Sequence, residues 1–289
     1  MRTGESIRNL SPQQIQAYRD DGFLVMEDFF SPEEVNTLRE AEASPAIQST
    51  LEEMGIKERT VHLLELTVRH PAFLELARDP RVMGCIEPLL GPDIQLQHSK
   101  LATKAVSKGM GAFGWHHDIM FYPHTNTSLL SVFVYLDDAT PENGCMSMVR
   151  GSHRLGPLNH LDSNGVFTYA CQDSSYWEDH PEKVVAVTPR AGSISIHHCL
   201  TLHGSPANLS GKPRRGLVFS YRADDAQQLA DTIFRDTGLV VAGRRRGIVR
   251  CESISWLLPL RPKDGKRNYG NAHHQTGDWA EALNGNAGV

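Results

Sequence analysis

The feature that most constrains the fold is a run of short extended segments that begins after Gly91-Pro92 and continues almost to the C-terminus. IQLQHSKLATK, LLSVFVYLD, CMSMV, KVVAVT, SISIHHCLTLH, GLVFSYR and ISWLL are each apolar or alternating, and Gly, Pro, Asn and Asp separate them. Many short strands punctuated in this way predict a sandwich or jelly roll. The first 92 residues read differently. Ser11-Pro12-Gln13-Gln14 and Ser31-Pro32-Glu33-Glu34 are both capping boxes with proline at the first helical position, so two helices start there. GFLVMEDFF (Gly22 to Phe30) between them predicts a strand, and a third helix is expected from about Pro71 to Leu90. The expected fold is mainly β with flanking α, with the helices packed on one side of the β core. No Gly/Ser- or Pro-rich linker interrupts the chain, so one domain over residues 1–289 is expected: a helical part to about 92, a β core from about 93 to 260, and a C-terminal extension.

Charge excludes some functions. A formal net charge of -5 gives no field to gather nucleic acid or an anionic membrane, and the Arg244–Arg246 cluster reads as a solvated turn that could help hold an acidic substrate. Five widely spaced cysteines with no C-x-x-C pair suggest neither a disulfide framework nor a zinc knuckle. The N-terminus has no apolar signal core, and the longest apolar run, around Leu129 to Leu136, is too short to cross a bilayer. A reducing compartment, the cytoplasm, is the expectation.

The chemistry concentrates in GWHHDIMFYPH, Gly114 to His124, which holds three histidines and an aspartate. If residues 115–121 are a strand or its end, His116 and Asp118 share one face and His117 points the other way. An H-x-D pair supplies two ligands to one metal. A distant histidine would complete a 2-His-1-carboxylate triad that leaves positions open on Fe(II). His197, His198 and His203 are the candidates, and His203 has the distinctive context: Ser205, Asn208 and Arg214 follow it in the pattern H-x-S-x-x-N, with an arginine eleven positions on. A guanidinium there could hold a carboxylate through two parallel hydrogen bonds, with the serine hydroxyl as a further donor. His198 reads as a neighbour of the site and not as a ligand. His117 reads as packed, and His153 as a turn residue that stabilises backbone. Asp137, Asp138 and Asn143-Gly144 read as turn chemistry.

Four segments in order, LSPQQIQAYRDDGFLV, WHHD, YLDDATPENGCMSMVRGSH and HGSPANLSGKPRR, make the chain resemble the phytanoyl-CoA dioxygenase-like branch of the Fe(II)/2-oxoglutarate-dependent oxygenases. The resemblance implies a double-stranded β-helix core and iron at His116, Asp118 and His203. It also implies 2-oxoglutarate as cosubstrate with O2, its far carboxylate held at Arg214 and Ser205. Lys100, Lys104 and Phe133 look similar in placement to residues that line the cosubstrate pocket. Arg150, where relatives often have proline, and Ser193, where an aspartate is common, depart from the pattern. Because Asp118 is present, where related halogenases carry a small residue, the resemblance implies hydroxylation of a C–H bond in a small organic molecule, with a place in natural-product or specialised metabolism suggested. Desaturation or rearrangement on the same iron, a cupin-type metal protein not using 2-oxoglutarate, and a non-catalytic binding module are the alternatives. Phe121, Tyr122, His124, Asn126 and Trp256 are candidate substrate contacts. The substrate itself and the oligomeric state stay open.

Overall fold

A computed structural model describes residues 9–54, 61–104, 112–230, 232, 234 and 236–257. In the N-terminal part, α1 (Pro12–Asp21) and α2 (Pro32–Glu42) flank β1 (Phe23–Met26), and α3 (Pro45–Glu53) follows. Both expected capping boxes form. Ser11 Oγ accepts from Gln14 N at 3.2 Å while Gln14 Oε1 accepts from Ser11 N at 2.9 Å, and Ser31 and Glu34 repeat the exchange at 3.3 and 2.8 Å. After β2 (Val61–Leu64) come α4 (Leu66–Arg69), α5 (Pro71–Leu76) and α6 (Pro80–Leu90). The single helix expected over Pro71 to Leu90 is therefore two. The residue before a proline is disfavoured in helical geometry, and Asp79 instead caps α6, its Oδ1 accepting from Arg81 N at 2.8 Å.

The rest is mainly antiparallel sheet: β3 (Ile94–Lys104), β4 (Phe113–His116), β5 (Leu129–Tyr135), β6 (Met146–Val149), the short helix α7 (Ser175–Glu178), β7 (Val184–Val187), β8 (Ile194–His198), β9 (His203–Ser205), β10 (Arg214–Ala223) and β11 (Leu239–Ala242). A seven-stranded sheet has the order β1-β8-β5-β10-β3-β11, with β2 paired to the same edge of β3 beyond β11, and a four-stranded sheet has the order β4-β9-β6-β7. ISWLL forms no strand in its described part, residues 254–257.

Strand alternation divides the large sheet into two chemistries. Leu101, Leu130, Val132, Val134, Ile194, Ile196, Leu217 and Phe219 face outward into a core shared with the N-terminal helices through Val35, Leu38, Ile47, Phe73 and Ile86. The helices thus cover one face of the sheet, as expected. The opposite face meets the small sheet across a second, smaller core that includes Phe133, Tyr135, Met146, Met148 and Val218. On that inner face the central strands carry polar and charged groups, among them His98, Lys100, Ser131, His197, Arg214 and Ser220. Polar groups are expensive to bury without partners, so their concentration between two sheets marks the interior as a site. Among the described residues no helix is long and apolar enough to cross a membrane.

Candidate metal and cosubstrate site

β4 ends at His116, His117 is extended, and Asp118 opens a 3-10 turn that runs to Phe121. The expected strand through Phe121 therefore stops early. The extended backbone at His117 still alternates the side chains, so His116 and Asp118 turn into the space between the sheets and His117 away from it. His117 is fully buried on the other side, its backbone N–H donating to His160 Nε2 at 3.1 Å. His203 begins β9, which pairs with β4 so that His203 lies opposite His116.

The potential ligand atoms of His116, Asp118 and His203 all lie within 4.8 Å of one another. Each histidine Nε2 is 3.8 Å from Asp118 Oδ1, too long for a hydrogen bond. The three converge without satisfying each other, as donor atoms around an ion would. The tautomers fit as well. Nδ1 of His116 lies 2.7 Å from Gly114 O and Nδ1 of His203 lies 2.8 Å from Thr201 O. A carbonyl only accepts, so Nδ1 holds the proton in both rings and each Nε2 presents its lone pair inward. Burial, the largest influence, pushes both imidazole pKa values down, which keeps both rings neutral, the form in which an imidazole can bind a metal.

Asp118 is held from behind. Ser131 Oγ donates to Oδ2 at 2.8 Å and His197 Nε2 lies 3.1 Å from the same oxygen, so Oδ2 is committed and Oδ1 faces the two histidines. Ser131 Oγ in turn lies 2.8 Å from Ser220 Oγ, and the Tyr122 hydroxyl joins this pair. Burial alone would raise the Asp118 carboxyl. The His197 hydrogen bond and the nearby His203, His197 and Lys100 outweigh it and hold the pKa well below the usual carboxylate range.

A cavity of about 60 Å³ runs from these three side chains between the sheets, room for several water-sized groups. Arg214, Ser205 and Phe133 line it together with Lys100, His62 and His197. The Arg214 side chain is 4% exposed; its Nη1 donates to Gly144 O at 2.7 Å, and its Nε has no partner among the described residues. No carboxylate among the described residues lies within ion-pair distance of it. A buried guanidinium in that state fits an incoming carboxylate. Phe133 flanks it at 5.8 Å, in a position open only because Gly216 has no side chain: a Cβ there would sit 2.1 Å from the ring.

Lys104 does not reach the cavity wall. Its ammonium donates to the carbonyls of Ser205, at 3.3 Å, and Pro206, so it props the end of β9. Among the expected substrate contacts, Phe121 borders the site, its ring edge-on to His116 at 5.5 Å, and Trp256 is half-buried against the same aromatic cluster. Tyr122 supports Asp118 from behind. His124 and Asn126 are not brought to the cavity. His124 is buried between Tyr122 O, 2.6 Å from Nδ1, and Gln97 Oε1, 3.0 Å from Nε2, and Asn126 donates to the carbonyls of Asp225 and Arg250 at 3.2 and 3.0 Å. Nor is His198 the neighbour of the triad: its Nδ1 accepts from Leu200 N at 3.1 Å and its ring lies near Tyr18 and His153. His197 takes that place. Arg150 pairs with Asp21 on the exterior and Ser193 sits in the turn before β8, so neither departure from the family pattern touches the cavity.

A family model described as phytanoyl-CoA dioxygenase (PhyH) matches residues 18–216. The chain belongs to the phytanoyl-CoA dioxygenase family. It is accordingly an iron- and 2-oxoglutarate-dependent dioxygenase. Relatives in sequence include a probable alpha-ketoglutarate-dependent hypophosphite dioxygenase of Stutzerimonas stutzeri, 32% identical over 86% of this chain and 91% of that protein. An ectoine dioxygenase of Bordetella parapertussis is 32% identical over 74% of this chain and 76% of the relative. Among solved structures of similar fold is the alpha-ketoglutarate-dependent carbocyclase SnoK from nogalamycin biosynthesis, with TM-score 0.62 and 28% identity, covering 76% of this chain and 87% of that one. EctD of S. alaskensis with 2-oxoglutarate and 5-hydroxyectoine bound shares the fold at TM-score 0.63 and 23% identity, over 87% and 89% of the two chains.

Proposed function

We propose that this phytanoyl-CoA dioxygenase family member hydroxylates an unactivated C–H bond of a small molecule, with iron held by His116, Asp118 and His203. The two facing sheets are read as a double-stranded β-helix in a single domain over residues 1–289. When bound, iron supplies the oxidising chemistry that couples decarboxylation of 2-oxoglutarate to transfer of one oxygen atom to substrate. The chain's own residues position and shield. His116 and His203 offer Nε2 lone pairs, Asp118 offers Oδ1 alone, and Arg214 with Ser205 receives the far carboxylate of 2-oxoglutarate against Phe133.

The observation that carries this reading is the pairing of two incomplete groups in one cavity: three donor atoms that converge without bonding, and a buried guanidinium that lacks a carboxylate. Hypophosphite and ectoine, named for the two relatives above, support a small polar substrate. The test supplies Fe(II), 2-oxoglutarate and oxygen and measures succinate. His116→Ala should abolish succinate formation, and Arg214→Ala should raise the KM for 2-oxoglutarate by roughly 10- to 100-fold, the loss of one bidentate charged contact at about 1.5–3 kcal/mol. An unchanged KM in Arg214→Ala would remove the cosubstrate assignment. A product heavier by one oxygen supports hydroxylation, and one lighter by two hydrogens supports desaturation.

A further inference from the structure

We propose that the substrate carries an oxyanion group, a carboxylate, phosphinate or phosphonate, and that Lys100 receives it beside the metal position. This rests on the reading above, because it counts charge around iron and 2-oxoglutarate. The two positive charges of Fe(II) and one on Arg214 are matched by one negative charge on Asp118 and two on 2-oxoglutarate. Lys100 is left over. It lines the same cavity, and among the described residues it forms no ion pair and no hydrogen bond. Its ammonium lies 5.5 Å from the centre of the Phe234 ring. The acid whose field acts on Lys100 is Asp118, and once Asp118 is matched to iron a ligand that brings one negative charge restores the balance at the lysine.

Lys100, which the resemblance groups with the cosubstrate pocket, lines the cavity at a different end from the guanidinium and is assigned to the substrate in this proposal. On β10, Arg214 pairs with Lys104 and Val218 pairs with Lys100. Four residues of strand thus separate the two positions, about 13 Å at ~3.3 Å per residue. Arg214 sits against Phe133, whereas Lys100 sits against Phe234, whose ring lies 5.7 Å from Phe121 and so close to His116. His98, two residues before Lys100 on the same face of β3, packs its ring 4.8 Å from Phe234. It is 4% exposed and neither of its ring nitrogens has a partner among the described residues. An ammonium on that strand face can meet an oxygen of the anion, while the aromatic wall takes the organic remainder. Burial keeps His98 neutral, with Lys100 adding to the effect, so it brings no second positive charge beside the lysine.

The test is calorimetric and needs no turnover. The full-length enzyme, loaded with Fe(II) and 2-oxoglutarate under argon, is titrated with hypophosphite, with methylphosphonate and its dimethyl ester, and with propionate and propionamide. At least one anion should bind, and where it has a neutral counterpart it should bind at least about tenfold tighter than that counterpart. Lys100→Met should weaken that anion by about tenfold or more, equivalent to ~1.4 kcal/mol, and Lys100→Arg should recover part of it. The affinity for 2-oxoglutarate should stay within about threefold in both variants, which also shows that they fold. Which anion binds separates phosphorus oxyanions from carboxylates. The proposal is overturned if none of the three anions binds, if neutral and anionic partners bind alike, or if Lys100→Met weakens 2-oxoglutarate as much as the anion. Failure of the underlying reading looks different, because 2-oxoglutarate itself would then not bind the wild-type protein.

Discussion

Asp118 has two oxygens with different tasks, and neighbouring residues set the difference. Ser131 and His197 occupy Oδ2 and leave Oδ1 to face His116 and His203. Partners that orient a metal ligand typically account for about 10- to 100-fold in metal affinity. Ser131→Ala and His197→Leu should each weaken Mn(II) binding by a factor in that range, measured by calorimetry, with the fold unchanged by circular dichroism. Unchanged affinity would mean that Asp118 is positioned by its backbone alone. The convergence of His116, Asp118 and His203 was legible in the sequence because H-x-D spacing and the Ser205 and Arg214 context are local patterns. The supporting residues were less so. The sequence favours His198 as the neighbour of the triad, yet strand pairing places His197 there, opposite Ser131, while His198 pairs with Leu130. The signal lay in the parity of SISIHH: Ile194 and Ile196 need the outer core, so Ser195 and His197 must face inward.

Local rules at the level of elements were readable where a side chain closes its own hydrogen bond. The capping boxes at Ser11 and Ser31 formed as their spacing predicts, and Ser31→Ala should cost about 1 kcal/mol in urea denaturation. Boundaries set by tertiary partners were not readable. Asp79-Pro80 splits an apolar stretch into α5 and α6, and the turn at Asp118 interrupts what alternation alone would extend. Gly216 is a further case, since only the pairing of β10 with β5 brings the Phe133 ring over it. Gly216→Val should destabilise the protein by about 1–3 kcal/mol through overpacking, and it should raise the KM for 2-oxoglutarate by displacing Phe133. A variant as stable as wild type with the same KM would show that the ring moves freely and does not shape the pocket.

Across the whole molecule, the polar inner face of the large sheet has a consequence for stability. Burial is the main cause that pushes His98 and His198 down to about 3 and His124 and His160 down to about 4. In the unfolded chain these imidazoles take up protons near pH ~6.5, whereas the folded protein resists until well below that. The unfolded state therefore binds more protons in between. Stability is fully present above about pH 6.5 and falls as pH drops toward about 4, by up to ~1.4 kcal/mol per histidine per pH unit. The urea midpoint should be lower at about pH 5 than at about pH 7.5, and equal midpoints would contradict the neutral burial of these rings. Such a pattern was only partly visible beforehand. The sequence shows 14 histidines, but which are enclosed follows from the sheet order. One ferrous ion held by His116, Asp118 and His203 is the arrangement on which the proposed function depends. Crystals grown without oxygen, with Fe(II) and 2-oxoglutarate, and measured at the iron absorption edge test it most directly. A single anomalous peak is expected about 2.0–2.2 Å from His116 Nε2, Asp118 Oδ1 and His203 Nε2. A peak bound by His197 in place of any of these, or one outside the space between the sheets, would contradict it.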